Sequence, residues 1–108
     1  MPRDCRLHIL DIKNAIERIQ EYTMSMSKEH FLTDYKTQDA VIRNLGIIGE
    51  AASKLSEDVK IASPEIEWRK IVALRNMLIR EYFGVNNEIV WDVIKSKLDE
   101  LLKFSNKL

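Results

Sequence analysis

The chain has 108 residues, 45% of them hydrophobic, a length and composition typical of one small domain with its own core. Its 17 Lys and Arg residues balance 17 Asp and Glu residues, which excludes the protein-wide positive field that drives sequence-independent binding to nucleic acid. Residues 1–108 are therefore expected to form a single domain that does not bind DNA, and any contact with RNA must be local.

The cysteine and histidine content shows which kinds of site to expect in this protein. One cysteine, Cys5, cannot form an intramolecular disulfide, and with only two histidines, His8 and His30, the chain lacks a zinc-site pattern. Charges are spread through the beginning of the chain, where a secretory signal needs an unbroken apolar core, and no later stretch has membrane-spanning length. We expect a cytoplasmic protein with no metal, cofactor or membrane contact. Both histidines are expected at the surface, and neither is assigned to catalysis.

The first predicted element is a helix from about Asp4 to about Tyr22. Ser27 can cap a short helix, Lys28 to Leu32, which a polar linker from Thr33 to Lys36 follows. Apolar residues recur at three- and four-residue steps along one side of the first helix: Ile12, Ala15, Ile16, Ile19 and Tyr22.

A second long helix is predicted from about Thr37 to about Leu55, and the polar run Ser56 to Lys60 follows it. Ser63-Pro64-Glu65 has the residue types of a helix start and predicts a third long helix that continues to Tyr82 or Phe83. Asn86 or Asn87 caps the last helix, which frays at residues 105–107. With few glycines, prolines or strand-like alternations, the fold class is all-α, an up-and-down four-helix bundle with a short extra helix.

One stretch of the third helix carries a resemblance to a known family. It runs WRKIVALRNMLIREYFGV from Trp68 to Val85, and Ile89-Val90-Trp91 follows in the next helix. It resembles the HepT-like branch of the HEPN superfamily, in which this helix bears Arg-Asn and then His-x-Tyr. Arg75, Asn76 and Tyr82 occupy the corresponding positions. The earlier stretch from Asp39 to Ala52 also resembles the family's second helix.

The position of the family's histidine holds Arg80 in this chain. The resemblance implies metal-independent RNA cleavage by Arg75, Asn76 and residue 80. In this reaction a base takes the ribose 2′-hydroxyl proton while a cation stabilises the charge on phosphorus. A guanidinium, with a pKa above about 12, cannot act as a base near pH 7, but it binds phosphate well. We therefore expect weak or absent nuclease activity. Arg80 could be native or an inactivating change.

Helix geometry places the motif residues on two faces. Positions seven apart differ by about 20° around an ideal helix and positions five apart by about 140°. Arg75 and Tyr82 therefore share one face, and Asn76 and Arg80 lie on another. A site that uses both Arg75 and residue 80 needs long side chains, a loosened last turn near Gly84, or a second copy of the helix from a dimer. The resemblance likewise implies a homodimer with the site in the cleft between protomers.

The resemblance also implies a partner and a modification. The partner is a cognate minimal nucleotidyltransferase (MNT) antitoxin, and the RNA substrate is a tRNA or an mRNA. Tyr82 is the candidate for adenylylation by that antitoxin, which would place negative charge where RNA phosphates bind. The chain is thus interpreted as the toxin component of a HEPN/MNT toxin-antitoxin pair.

Other roles for these residues stay open at this point. Arg75 and Arg80 could be solvated surface charges, Tyr82 a core residue, and the chain a non-catalytic HEPN domain that binds nucleotide or RNA phosphate as a regulatory or scaffolding subunit. A helical interaction module without a nucleotide ligand is a third possibility. The four- and seven-residue spacing of Asp39, Arg43 and Glu50 favours an ion pair on the helix surface, with lining of the cleft as the alternative.

Overall fold

A computed structural model describes residues 3–80 and 84–107, and every regular element within these ranges is a helix. The all-α class is therefore confirmed. The seven helices of the described ranges are α1 (Arg3–Thr23), α2 (Lys28–Thr33), α3 (Tyr35–Ser53), α4 (Glu57–Ile61), α5 (Trp68–Arg80), α6 (Asn87–Ser96) and α7 (Leu98–Asn106).

Helix α1 contributes the first side of the core. The predicted apolar stripe is confirmed as far as Ile19, whose side chain is fully buried. Tyr22, predicted to face inward, is instead 41% exposed. Thr23 is buried in the last turn, where its hydroxyl donates to the Ile19 carbonyl oxygen at 2.8 Å and so needs no water.

Two capping side chains fix the short α2 and the start of α3. The Ser27 hydroxyl accepts a hydrogen bond from the backbone N–H of His30, which confirms the predicted cap. The predicted polar linker from Thr33 to Lys36 is wrong, because Asp34 caps α3 one residue before that helix begins. Its carboxylate accepts from the backbone N–H of Thr37, and this hydrogen bond lowers the pKa of Asp34 below its ordinary value.

The predicted start of the third long helix at Ser63-Pro64-Glu65 is also wrong. Helix α4 occupies most of the predicted polar run, and α5 begins only at Trp68. The Trp68 indole N–H donates to the carbonyl oxygens of Lys60 and Ser63 at 3.2 and 3.1 Å. The tryptophan thereby holds residues 62–67 as a turn against the first turn of α5.

The predicted last helix divides into α6 and α7 at Lys97. Asn86 caps α6 through its side-chain oxygen, which accepts from the backbone N–H groups of Glu88 and Ile89, so this predicted cap is confirmed. Ser105, predicted to lie in a fraying end, is buried within α7.

The long helices pack in the spatial order α5, α3, α1, α7, with α2 against α3 and α6. Aromatic side chains join the outer elements. Phe31 of α2 lies 5.3 Å from Trp91 of α6, and Trp68 of α5 meets Phe104 of α7 edge-on at 4.9 Å, both between ring centroids. Both tryptophans are therefore packing residues. The α3–α5 pair at one end of this order positions the candidate site.

Candidate functional site

Arg75 lies on the side of α5 that faces α3, with its side chain 25% exposed. Its Nη1 donates to Oε2 of Glu50 at 2.5 Å, an ion pair that joins the two helices. Its Nε is buried and has no hydrogen-bond acceptor among residues 3–80 and 84–107. The guanidinium is thus held in one orientation, with part of its donor fork unused.

A missing side chain on α3 allows this arrangement. Gly49 is buried directly opposite the Arg75 Cβ, and a Cβ built on the glycine would overlap that atom. The neighbouring Glu50 then reaches across to the guanidinium. The sequence step Gly49-Glu50 therefore determines both how closely the helices approach and where the arginine points.

Arg75 opens into a groove of about 390 Å³ between α1, α3 and α5, called here the Arg75 groove. Its charged and polar lining residues come from all three helices and the end of α3: His8 and Asp11 of α1, Arg43 and Glu50 of α3, Lys54 directly after α3, and Arg75 of α5. The remaining lining residues are small or aliphatic: Gly46, Ile47, Ala51 and Ile79. A groove of this size and composition suits a polar ligand with a compact anionic group.

Three cationic side chains face two carboxylates across the Arg75 groove. Glu50 contacts two of the cations, because its Oε1 also lies 3.4 Å from the Lys54 ammonium. Arg43 carries a third positive charge into the same space. The groove therefore contains one more positive than negative side chain, on a chain whose net charge is zero. It is a local positive region of the kind that an RNA contact needs when the protein as a whole has no positive field.

Asn76 and Arg80 lie on the outer face of α5, away from Arg75. Both are exposed, and together with Ile79 they line a separate shallow hollow. This separation agrees with the two faces expected from helix geometry. Within one chain, therefore, Arg75 and Arg80 are not brought into one site, and Ile79 lies between the two surfaces.

The three charged residues of α3 for which a surface ion pair was expected have other partners and positions. Glu50 pairs with Arg75 and Lys54, and no ion pair joins Asp39, Arg43 and Glu50 in the part of the chain that the structure describes. Because α5 lies against α3, a partner across the helix interface replaces one on the same helix. Arg43 and Glu50 line the Arg75 groove, whereas the exposed Asp39 does not.

His8 is the groove residue that sequence reasoning missed. It was expected at the surface without a role, yet it is partly buried and lines the Arg75 groove from α1. The sequence signal for this position was the spacing of His8 and Asp11. They are three residues apart and therefore lie on one side of the helix. His30 is exposed on α2, 3.8 Å from the carboxylate of Asp34.

Tyr82, the predicted modification site, lies outside the described residues, as does the predicted end of the third helix at Tyr82 or Phe83. Helix α5 is described as far as Arg80 and therefore contains the first three motif positions, Arg75, Asn76 and Arg80.

A second concavity, of about 460 Å³, lies between α5, α6 and α7 and is called here the apolar groove. Aliphatic side chains such as Leu74 and Val93 line it, and charges lie at its rim. At that rim Glu67 accepts from Lys70 at 2.7 Å and from Lys97 at 2.9 Å, and these contacts lower the pKa of Glu67 to about 2. Among the described residues, no predicted site residue lines the apolar groove.

Two kinds of feature are absent from residues 3–80 and 84–107. No three His, Cys, Asp or Glu side chains come together there as a set of metal ligands. No helix in these ranges combines the length and the apolar character needed to cross a membrane.

Comparisons with known proteins agree on one family. The model of the Ribonuclease HepT-like family matches residues 12–108. A Methanocaldococcus jannaschii protein named as an RNase is 41% identical, covering 95% of this chain and 86% of that protein. A Thermococcus cleftensis protein named as ribonuclease HepT is 44% identical, covering 94% of this chain and 92% of that protein.

The fold is shared with a solved toxin structure. A tri-AMPylated HEPN toxin of Shewanella oneidensis, solved in complex with its MNT antitoxin, superposes with a TM-score of 0.73 at 23% identity. The match covers 98% of this chain and 96% of the toxin. Given the family match over most of its length, this chain belongs to the HepT-like ribonuclease family.

Proposed function

We propose that the chain is the toxin component of a HEPN/MNT toxin-antitoxin pair, an RNase-type protein whose metal-independent cleavage of RNA is impaired because Arg80 occupies the histidine position of the motif. The observation that carries the proposal is the placement of Arg75. Its guanidinium is held by Glu50 at the edge of a cationic groove, in a chain that belongs to a ribonuclease family.

The groove supports the cation's part of this chemistry. A planar guanidinium can meet two phosphate oxygens at once and keeps its charge throughout the reaction. Arg43 and Lys54 add positive charge along the path that an RNA backbone would take. Removing a general base typically lowers a rate about a hundred- to ten-thousand-fold. Arg80 is therefore expected to preserve phosphate binding while removing most turnover.

A homodimer is part of the proposal, because Arg75 and Arg80 lie on different surfaces of one chain. A second protomer placed against the outer face of α5 would bring its own motif residues to that surface. Ile79 lies between the two surfaces and is 65% exposed, so its burial against a second protomer would stabilise the dimer.

Site sharing can be tested by mixing chains. An Arg80→His chain that also carries Arg75→Ala is mixed with the native chain, which retains Arg75. If each site takes Arg75 from one protomer and residue 80 from the other, the mixture cleaves RNA faster than either chain alone. If both chains form mixed dimers and the rates merely average, the shared site is contradicted.

The proposed partner is an MNT antitoxin, which is what the Shewanella oneidensis toxin binds. That toxin is tri-AMPylated. For this chain we place the modification at Tyr82, two residues after Arg80 in the sequence. Co-expression with a cognate MNT antitoxin, followed by measurement of the intact mass with Tyr82→Phe as the control, tests the site. A mass increase retained by Tyr82→Phe would contradict it. The pair is expected to act on RNA in the cytoplasm.

A non-catalytic role is the second candidate, and Arg80 itself favours it. A domain with two arginines and no base at the motif would bind nucleotide or RNA phosphate without cleaving it, as a regulatory or scaffolding subunit.

The deciding experiment compares the native chain with Arg80→His in a bacterial host, with growth and the integrity of total RNA followed after induction. We expect Arg80→His to arrest growth and cleave RNA, and the native chain to do so weakly or not at all. Arg75→Ala added to Arg80→His is the matched control and should abolish both effects. If Arg80→His folds as a dimer yet leaves RNA intact, the nuclease proposal fails and the binding role replaces it.

A further inference from the structure

The Arg75 groove contains one group whose chemistry has not been used so far, the imidazole of His8. It reaches the groove from α1, so it comes from a helix that does not carry the motif. It is partly buried, and Asp11 lines the groove one turn further along the same helix. Histidine is the residue type whose ordinary pKa, about 6.5, suits proton transfer near neutrality.

The motif of this chain supplies no such group. Arg80 cannot accept a proton near pH 7, and it lies outside the Arg75 groove. The only other imidazole of the sequence, His30, lies on α2 and lines none of this groove. His8 therefore lines the same groove as the guanidinium that is proposed to bind phosphate, where a base is needed.

We propose that His8 is the catalytic base for the residual RNA cleavage of this chain, acting on a ribose whose 3′ phosphate is bound by Arg75. The inference rests on the proposed function, since it needs RNA as the substrate. It differs from it in assigning the proton transfer to α1 rather than to the motif on α5.

The step balances without a further reactant. A ring nitrogen of neutral His8 takes the proton of the 2′-hydroxyl, and the 2′ oxygen forms a bond to phosphorus. The bond between phosphorus and the 5′ oxygen of the next nucleotide breaks, and that oxygen takes a proton from solvent water or from the imidazolium. The products are a 2′,3′-cyclic phosphate end and a 5′-hydroxyl end, with no oxidation or reduction.

Charged groups of both signs line the groove together with the imidazole: Asp11, Arg43, Glu50, Lys54 and Arg75. Glu50 is largely engaged by Arg75 and Lys54. An imidazole accepts a proton only in its neutral form, so cleavage that uses His8 as the base should rise with pH and then level off.

The test uses total cellular RNA and purified full-length chains, with 2′,3′-cyclic phosphate ends measured from about pH 5 to pH 9. The chains are native, His8→Gln, His30→Gln and Arg75→Ala. We expect His8→Gln to lower the native rate by about a hundred-fold or more and to remove its dependence on pH. His30→Gln, the matched control, should keep both the rate and the pH profile. Circular dichroism verifies that each variant is folded.

The Arg80→His chain separates failure of this inference from failure of the proposed function. If Arg80→His cleaves RNA while His8→Gln leaves the native rate and pH profile unchanged, His8 is not the base and the toxin proposal stands. A native chain that cuts no faster than Arg75→Ala also overturns the role of His8. If Arg80→His cleaves nothing, the proposed function fails, and the His8 assignment fails with it unless the native chain cleaves by itself.

Discussion

Two glycines on α3 are expected to respond oppositely to alanine, although they are only three residues apart. Gly46 and Gly49 both lie inside the helix, where alanine is favoured over glycine by about 0.5–1 kcal/mol. A Cβ added at Gly46 would meet no atom within 4 Å. Gly46→Ala should therefore raise the free energy of unfolding by about that amount.

Gly49→Ala has the same gain in helix preference but meets α5. The added Cβ would overlap the Arg75 Cβ, and it would lie 3.0 Å from the Arg75 Cγ and 3.3 Å from the Ile71 carbonyl oxygen. Because a Cβ is fixed to its backbone, no side-chain rotation relieves this overlap, and the two helices must separate. Overpacking of this kind costs about 1–3 kcal/mol. Since the helix preference cancels, the two variants should differ in stability by that full cost.

Urea unfolding followed by far-ultraviolet circular dichroism measures this difference, with the native chain beside both variants. For a chain of this size, about 1 kcal/mol corresponds to about 4 °C in Tm, so the variants should also separate clearly on heating. If Gly49→Ala stabilises the protein as much as Gly46→Ala does, the close α3–α5 contact is wrong. The position derived for Arg75 would be wrong with it.

Three further predictions concern single side chains. Asn86→Ala should cost about 1 kcal/mol of unfolding free energy through loss of the α6 cap, and Asn86→Gly only a few tenths; equal losses in urea unfolding would contradict the cap. The ion pairs of Glu67 with Lys70 and Lys97 lower its pKa from 4.5 to about 2, so their stabilisation is present above pH 4.5 and is lost as the pH falls towards 2. Glu67→Gln should therefore lose less stability than the native chain over this interval, as unfolding at a series of pH values will show. Trp68→Phe removes the indole donor and should cost about 1–3 kcal/mol in urea unfolding, and an unchanged midpoint would refute the role of that donor.

The features that could be predicted from the sequence are those that depend on neighbours along the chain. The stripe of α1 and the caps at Ser27 and Asn86 follow from helix periodicity and from side chains that bond amides two or three residues away. The start of α5 could not be predicted in this way. Ser63-Pro64-Glu65 has the local residue types of a helix start, but the indole of Trp68 holds that segment as a turn.

The same distinction between local and long-range contacts applies to the candidate site. The separation of Arg75 from Asn76 and Arg80 was predictable, since it needs only the angle between positions on one helix. The pairing of Arg75 with Glu50 was not, because it joins residues 25 positions apart through the packing of α3 on α5. The approach of His8 to the groove likewise depends on the packing of α1 against α3.

The hydrogen bonds that Arg75 makes in the free protein determine how a phosphate can bind to it. Glu50 already holds Nη1, and the buried Nε has no acceptor among the described residues, an arrangement that costs about 1–3 kcal/mol. Because Nε is enclosed, a phosphate meets the guanidinium through Nη2 and the second N–H of Nη1, and it reaches Nε as well only if the arginine or Glu50 shifts. Such a shift would give the unused donor an acceptor, so binding would recover part of that cost. Glu50 thus orients the arginine in the free protein and competes with the substrate for it.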